Sequence, residues 1–279
     1  MREQLDFIKT IQPYFVMETS RFTQFVLGQY GISHFYEYAA DRNGLDRVVV
    51  PDGCIDIIFS YGRNVLDSDV CGTVLEYRRM TRKASQVYFG VRFFSGFCPP
   101  LIDGRFKEFV GREVSLQEVI KEPALLVNMV TARNFSSRIQ TFMKVYQNFA
   151  VKPTDSSMER LLQAATAMIY KSHGEIRIKE LEERTGYTAR YINKLFDEEI
   201  GINPKKLCLI IKFQRLLTAL HSPKVGTIAK LAAEHGYFDQ AYLIKEFSRY
   251  TNMTPKQYFR MIHDSGYNER VITIGGVAG

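Results

Sequence analysis

The sequence predicts an α+β protein of two domains, an N-terminal β-barrel or β-sandwich that ends in helices and an all-α C-terminal domain. Three observations support this fold class. Short apolar runs alternate with turn residues over residues 22–97, which is typical of a sandwich or a small barrel. The hydrophobic periodicity becomes helical from Val114 onward. Near the C-terminus a helix-turn-helix pattern occurs twice, with a long helix between the two copies.

Length and composition fit this division. The chain has 279 residues, of which 46% are hydrophobic, and this is enough for two packed domains. A net charge of +7 and a pI near 9.1 suit a polyanionic partner, although the charge bias is mild. The start, MREQLDFIKTIQPYF, lacks the pattern of a signal peptide, and no run of about 18 apolar residues occurs. We therefore expect a cytoplasmic protein without a membrane partner.

The predicted strands of the N-terminal half are short and follow one another closely. Turn signals lie between or beside them, at Gly31, Asn43-Gly44, Pro51-Asp52-Gly53, Gly62 and Gly72. The strand-like runs are FTQFVLGQY, SHFYEYAA, RVVV, CIDIIFSY, TVLEYRR and QVYFGVRFF.

Few side chains in this half have the pattern of a chemical site. His34 is the only histidine among the first 172 residues, so we expect neither a metal nor another cofactor, and His34 is interpreted as a structural strand residue. Cys54 reads as a small buried hydrophobe. Asp52 lies in a turn where aspartate is common, so Asp52 and Asp56 are not expected to form an acid-base pair. The basic run RRMTRK at 78–83 reads as a solvated hairpin end rather than a contact to DNA phosphates.

Two helices are predicted at the end of this half. The first, ALLVNMV at 124–130, follows Pro123, a residue that favours helix starts. The second carries an apolar stripe formed by Ile139, Phe142, Met143, Tyr146 and Phe149. The stripe has two interpretations, packing against the strands or forming a homodimer through helices within 124–149. The segment VKPTDSS at 151–157 is interpreted as the interdomain linker.

The repeat near the C-terminus defines the second domain. Residues 184–205 and 234–256 align at their Gly-Tyr pairs, their phenylalanines and their Pro-Lys pairs. The offset is 50 residues at Gly186 and Gly236, and 51 residues from Tyr191 and Tyr242 onward. The second copy therefore has one extra residue at its turn.

Each copy has the signals of a helix-turn-helix. Gly186 and Gly236 are placed where the first helix ends, since glycine adopts the left-handed conformation without a side-chain penalty. Thr188 and Asp239 are the predicted N-caps of the second helix. The spacer at 203–220 has Pro204 at its first helical position and forms a rod of roughly 27 Å. Such a spacer allows one chain to place two recognition helices in successive major grooves of DNA.

These residues resemble the DNA-binding domain of the AraC/XylS family of bacterial transcription regulators over about residues 158–262. The resemblance depends on the two glycine-aromatic turns, the linking helix and the closing TPKQYF segment, in that spacing. It implies that the first motif faces DNA bases with Arg190, Asn193 and Lys194, next to the N-cap Thr188. For the second motif it implies Gln240, Ala241, Ile244 and Lys245.

The sequence departs from the family pattern at four positions. Lys212 stands where arginine is usual, and Leu243 where phenylalanine is usual. Glu182 replaces an alanine, and Asn252 replaces a glycine whose left-handed conformation asparagine also tolerates. In the N-terminal half, PDGCIDIIF and FGVRFFSG are similar to an uncharacterised domain type often fused to AraC-type domains. The resemblance implies a cupin-like barrel there.

The resulting domain division is 1–150 for ligand sensing and dimerisation, 151–157 for the linker, 158–263 for DNA binding and 264–279 for the tail. The tail is expected to be disordered, or else its VITI segment adds an edge strand. The function expected is a sequence-specific, ligand-responsive activator, not an enzyme. Its partners would be double-stranded DNA, a small-molecule effector and, by the resemblance, RNA polymerase.

Two alternative functions fit the same sequence. In the first, an N-terminal cysteine, Cys54 or Cys98, accepts alkyl groups or senses redox state. The four cysteines show no Cys-x-x-Cys pairing and read as reduced thiols, which disfavours a zinc-bound alkyl acceptor. In the second, a protein partner controls the regulator through an N-terminal domain that holds no ligand.

Overall fold

The computed structural model describes residues 10–17, 19–40, 45–62, 66–82, 86–150, 156–222 and 225–276. The predicted turn at Asn43-Gly44, most of the predicted linker and Lys83 lie outside these residues. The described residues form nine strands, which are β1 Phe22–Gln29, β2 Ile32–Ala39, β3 Leu45–Val49, β4 Asp56–Tyr61, β5 Leu66–Cys71, β6 Arg78–Arg82, β7 Val87–Phe93, β8 Glu113–Ser115 and β9 Val271–Gly276.

The helices divide into two groups. Those of the N-terminal half are α1 Pro13–Met17, α2 Phe106–Phe109, α3 Leu116–Val119, α4 Ala124–Thr131 and α5 Phe135–Ala150. Those of the C-terminal half are α6 Ser157–Lys171, α7 Ile178–Thr185, α8 Ala189–Glu199, α9 Pro204–Ala219, α10 Ile228–Glu234, α11 Gln240–Thr251, α12 Pro255–Asp264 and α13 Tyr267–Arg270. Within the described chain, no helix is both long and apolar enough to cross a membrane.

The N-terminal half is built on a seven-stranded sheet of order β8-β5-β4-β7-β2-β1-β9, beside a β3-β6 ribbon. Because successive side chains of a strand point to opposite faces, Phe35 and Tyr36 serve different cores. Phe35 packs with its ring centroid 6.0 Å from that of Phe142 of α5. Tyr36 stacks on Tyr38, with centroids 6.1 Å apart, on the other face. A β-rich N-terminal half followed by a helical domain confirms the predicted fold class.

The strand predictions were wrong at one place. TVLEYRR was expected to be a strand, but residues 73–77 form loop and bends, and the strand begins at Arg78. The neighbouring segment Leu66–Cys71 is a strand that the pattern did not indicate. In it only Val70 is buried, so the apolar alternation that marks a strand is nearly absent. The basic run at 78–82 belongs to strand β6, and Arg78 and Arg79 are exposed.

The apolar stripe of α5 packs against the sheet. Phe142 and Tyr146 are fully buried, and the Tyr146 hydroxyl donates to the Tyr30 carbonyl over 2.8 Å. This is the first of the two interpretations of the stripe. On α4, Val127 and Val130 are 71% and 62% exposed, and the homodimer through these helices stays a prediction.

The chain end returns to the N-terminal sheet. β9 pairs in parallel with β1, and Thr23 and Gln24 lie opposite Ile272 and Thr273. The Gln24 side-chain amide also donates to the Thr273 hydroxyl over 2.8 Å. Of the two expectations for the tail, the edge strand is the one observed.

The linking helix α9 contacts the N-terminal half through a buried glutamine. The Gln214 side chain is wholly buried. It accepts from the Ile11 N–H and donates to the Pro51 carbonyl, each over 2.8 Å. The C-terminal half therefore packs on the turn that carries the PDG segment.

A buried ion cluster fixes the shape of that turn. Arg92 donates to Asp56 over 2.9 and 2.6 Å, and its Nη1 lies 3.2 Å from Asp52. The Gln12 amide donates to Asp52 over 2.7 Å. A cavity of about 20 Å³ beside the cluster has room for a single water molecule. The two segments that resemble the uncharacterised domain type, PDGCIDIIF and FGVRFFSG, meet in this cluster.

Candidate nucleic-acid interface

The first helix-turn-helix consists of α7, a turn and α8. Gly186 ends α7 in the left-handed conformation with φ 75°, as predicted. Thr188 is the N-cap of α8, and its hydroxyl accepts from the Tyr191 N–H over 3.3 Å. Glu182 accepts from the Ala189 N–H over 2.5 Å and so satisfies a second N–H at the start of α8. Two side chains therefore cap the first recognition helix.

The outer face of α8 carries the side chains predicted to meet DNA. Thr188, Arg190 and Lys194 are exposed, whereas Ile192 and Leu195 point into the core. Asn193 is half-buried, and its amide donates to the Ala189 carbonyl over 2.8 Å. These residues form one polar surface rich in hydrogen-bond donors.

The second helix-turn-helix consists of α10, a turn and α11. Gly236, next to the helix end, has φ 66°. Asp239 is the N-cap of α11, and its carboxylate accepts from the Tyr242 N–H over 2.7 Å. Asn252 ends α11 in the left-handed conformation with φ 57°, as its substitution for glycine predicts.

The outer face of α11 differs chemically from that of α8. Gln240, Ala241 and Lys245 are exposed, and Ile244 is half-buried. Phe238, just before the N-cap, is 93% exposed, while the preceding Tyr237 is 8% exposed. The surface of the second motif is therefore partly apolar.

The linking helix holds the two motifs. Its 16 residues extend about 24 Å, with Asn203 as N-cap and Pro204 at the first position. Lys212 of α9 donates from its ammonium to the Gly236 carbonyl over 2.9 Å. The residue that departs from the family pattern thus ties the linking helix to the turn of the second motif.

A buried histidine lies at the same turn. His235 ends α10 and is 8% exposed. Burial lowers its pKa, and the nearby Arg215 lowers it further. Within the described part of the chain its Nδ1 has no hydrogen-bond partner. A neutral imidazole is therefore favoured at this position.

The cysteine candidates lie where a thiol is not activated. Cys54 is buried beside Thr10, with the two side-chain heteroatoms 3.0 Å apart. Burial raises the pKa of its thiol, and Asp52 raises it further. Burial also raises the pKa of Cys98 to about 12. Because the thiolate is the reactive form, neither position favours alkyl transfer or redox sensing.

The other N-terminal candidates have structural contacts. Asp52 and Asp56 both pair with Arg92 and do not form an isolated acid-base pair. Burial raises the pKa of Asp52, and Arg92 opposes that change. His34 lies buried in β2, with its Nδ1 3.0 Å from the Ser33 hydroxyl. In the described residues, no three His, Cys, Asp or Glu side chains are grouped to hold a metal ion.

Four residues of the interface and its support were not assigned their roles from the sequence. In the sequence, Glu182 and Lys212 stand out only as departures from a family pattern, and Gln214 carries no signal. Glu182 bonds to a residue across a turn, and Lys212 and Gln214 bond to residues distant in the chain. The extra residue in the second copy was the one available sign of Phe238.

Comparison with known proteins agrees with this geometry. A family model described as a helix-turn-helix domain matches residues 181–261, and a model of a domain of unknown function, DUF6597, matches residues 27–115. An uncharacterized HTH-type transcriptional regulator of Haemophilus influenzae is 24% identical over 104 residues. That match covers 37% of this chain and 35% of the relative, so the chain aligns with about a third of the relative's length.

Two solved structures are also similar. ToxT from Vibrio cholerae is 11% identical, with a TM-score of 0.42 over 86% of this chain and 98% of ToxT. The xylose-binding transcription activator xylR is 14% identical, with a TM-score of 0.33 over 45% of this chain and 37% of xylR.

The two motifs and the family match together show a helix-turn-helix domain in the C-terminal half. This domain is of the AraC type, as the resemblance in the sequence predicted.

Proposed function

We propose that this protein binds a specific operator with both motifs and that one chain reads two successive major grooves. The observation that carries this proposal is the linking helix, a rigid rod about 24 Å long that joins two motifs with exposed recognition faces. With the width of the two motifs added, the ~34 Å turn of B-DNA comes within reach.

The side chains suit direct base recognition. Arg190, Lys194 and Lys245 carry donors that match the acceptors of guanine. The amides of Asn193 and Gln240 match the edge of adenine. Thr188 lies at a helix N-terminus, where backbone N–H groups favour a phosphate.

Substitution of two base-facing residues tests the proposal. We expect Asn193→Ala and Lys245→Ala each to weaken binding to the cognate operator by about 1–3 kcal/mol and to relax the preference at specific base pairs. Operators are obtained by sequencing DNA recovered with the protein from a lysate, and affinities are measured by fluorescence anisotropy. Lys144→Ala, an exposed lysine of α5, is the control and should bind as the wild type does.

Two outcomes contradict this mode of binding. Equal weakening on cognate and random DNA assigns the residue to phosphate contact alone. Protection of only about half a dozen base pairs in a footprint excludes two successive grooves.

Binding should also weaken steeply between about 50 and 200 mM salt, because each neutralised phosphate releases counterions.

We further propose that a small uncharged effector binds in a cleft between the two halves. The cleft has a volume of about 230 Å³. The N-terminal half contributes Phe22, Gln24 and His34 to its wall, and the C-terminal half contributes Thr218 and Tyr267. Among the described residues that line it, none is Lys, Arg, Asp or Glu, which favours an uncharged ligand.

A ligand at this cleft would couple to DNA binding by linkage. Because both halves form the wall, a ligand would stabilise the packed arrangement over any other. Regulation of transcription, including activation through RNA polymerase, would follow from that shift.

Thermal denaturation with a panel of uncharged metabolites tests the effector site. A ligand should raise the free energy of unfolding by RT ln(1 + [L]/Kd), and the melting temperature rises with it. Thr218→Phe should abolish this rise, because the phenylalanine would fill the cleft. Lys144→Ala should retain it. A rise that survives in Thr218→Phe places the ligand elsewhere, and control by a protein partner is favoured if no metabolite acts.

A further inference from the structure

The turn before the second recognition helix has an exposed phenylalanine, whereas the exposed aromatics of the first motif, Tyr187 and Tyr191, are half-covered and carry hydroxyl groups. Phe238 is the extra residue at the turn of the second copy, and it is 93% exposed. In the first copy, Thr188 follows the Gly-Tyr pair directly. The added residue moves the N-cap to Asp239 and leaves a phenylalanine at the start of α11.

Phe238 does not have the structural role usual at its position. The residue before an N-cap often packs on the fourth helical residue, which here is Leu243. Leu243 is fully buried, yet Phe238 is almost entirely in solvent. Its ring therefore adds little to the core of the domain.

Phe238 lies directly before the N-cap of the second recognition helix. In a helix-turn-helix, the N-terminal residues of the recognition helix approach the base edges. Ala241 and Ile244 follow at intervals of three residues along α11, and both are at least partly exposed. The second motif thus presents three apolar side chains beside Gln240 and Lys245 at its recognition surface, whereas Arg190, Asn193 and Lys194 of the first are all polar.

Only one group in the major groove matches an apolar side chain, the C5-methyl group of thymine. We propose that Phe238 is a further specificity residue and that, with Ala241 and Ile244, it recognises thymine methyl groups in the second half-site. The inference rests on the proposed DNA-binding function. The two motifs then read chemically different half-sites: the first through hydrogen bonds, and the second through methyl contacts in addition to the hydrogen bonds of Gln240 and Lys245.

Replacement of thymine by uracil tests this proposal, because uracil keeps every hydrogen-bonding group and lacks only the methyl. The full chain first selects operators from random duplexes. The half-site whose base preference relaxes with Asn193→Ala belongs to the first motif. Uracil is then placed in each half-site separately, and affinities are measured by fluorescence anisotropy.

We expect uracil in the second half-site to weaken binding about fourfold for each methyl contact, from the free energy of burying one apolar carbon. Uracil in the first half-site should change affinity less than about twofold by the same measure. Phe238→Ala should reduce the loss caused by uracil in the second half-site. Tyr187→Ala, an exposed aromatic of the first motif, is the matched control and should leave that loss unchanged.

Each other outcome overturns part of the proposal. If operators are selected but uracil has no effect, recognition of thymine methyls is wrong and the DNA-binding function stands. If Phe238→Ala retains the full effect of uracil, while circular dichroism shows the fold intact, Phe238 is not a specificity residue. If no operator is selected at all, the proposed function fails and this inference with it.

Discussion

The two helix-turn-helix motifs share a backbone pattern but differ in how their turns are held. In the first, no atom of the described residues beyond its chain neighbours lies within 4 Å of where a Cβ of Gly186 would be, and two side chains cap α8. In the second, Gly236 is crowded by Glu175 and Lys212, and Asp239 is the side chain seen to cap α11. Repetition has therefore kept the geometry of the turn, while each copy stabilises it by different contacts.

Alanine at the two turn glycines should give the largest difference between the motifs. Gly186→Ala should cost about 1–2 kcal/mol, the strain of a left-handed alanine. Gly236→Ala should cost about 1–3 kcal/mol, because a Cβ there would also lie 3.0 Å from Glu175 and 3.2 Å from the Lys212 ammonium, which bonds the Gly236 carbonyl. Urea denaturation of the full chain measures both values, and equal losses would show that the crowding is relieved at no cost.

Removal of the N-caps should give a smaller difference. Asp239→Ala should cost about 1–2 kcal/mol. Thr188→Ala should cost about 0.5–1 kcal/mol, since Glu182 still accepts an N–H at the start of α8. Adding Glu182→Ala to Thr188→Ala should raise that loss to the value for Asp239→Ala. If the second substitution adds nothing, the Glu182 contact does not stabilise the helix.

The dependence of stability on pH should show the smallest difference between the motifs. Burial, followed by Arg215, lowers the pKa of His235 below its ordinary value of 6.5. The unfolded chain therefore binds this proton more readily than the folded one, and stability falls as the pH drops below about 6.5. Thermal melts from pH 8 to pH 5 measure this loss, and His235→Gln should weaken it. An unchanged slope in the variant would assign the loss to other groups.

Local features of the C-terminal half were predictable from the sequence. The N-caps Thr188 and Asp239, the left-handed Asn252 and the start of α9 at Pro204 each depend on interactions within a few residues, and all four are confirmed. The polar face of α8 and the face of α11 follow from helical periodicity in the same way. The contacts of these faces with DNA stay predictions.

Contacts between distant segments could not be predicted. Lys212 bonds to the Gly236 carbonyl, and Gln214 joins Ile11 to Pro51, because the folded chain brings these groups together. The residues next to Lys212 and Gln214 in the sequence do not indicate which groups these side chains contact. For the same reason, β5 was missed, since its place in the sheet comes from pairing with β4 and β8 rather than from its own apolar pattern.

The parallel pairing of β9 with β1 has a consequence for dissection of the protein into fragments. A piece that stops near residue 150 would lack β9 and leave the edge of β1 unpaired, which invites aggregation. A piece that begins near residue 158 would carry β9 without its sheet. Fragment complementation, with both pieces expressed together, is therefore the better way to recover each half in its native form.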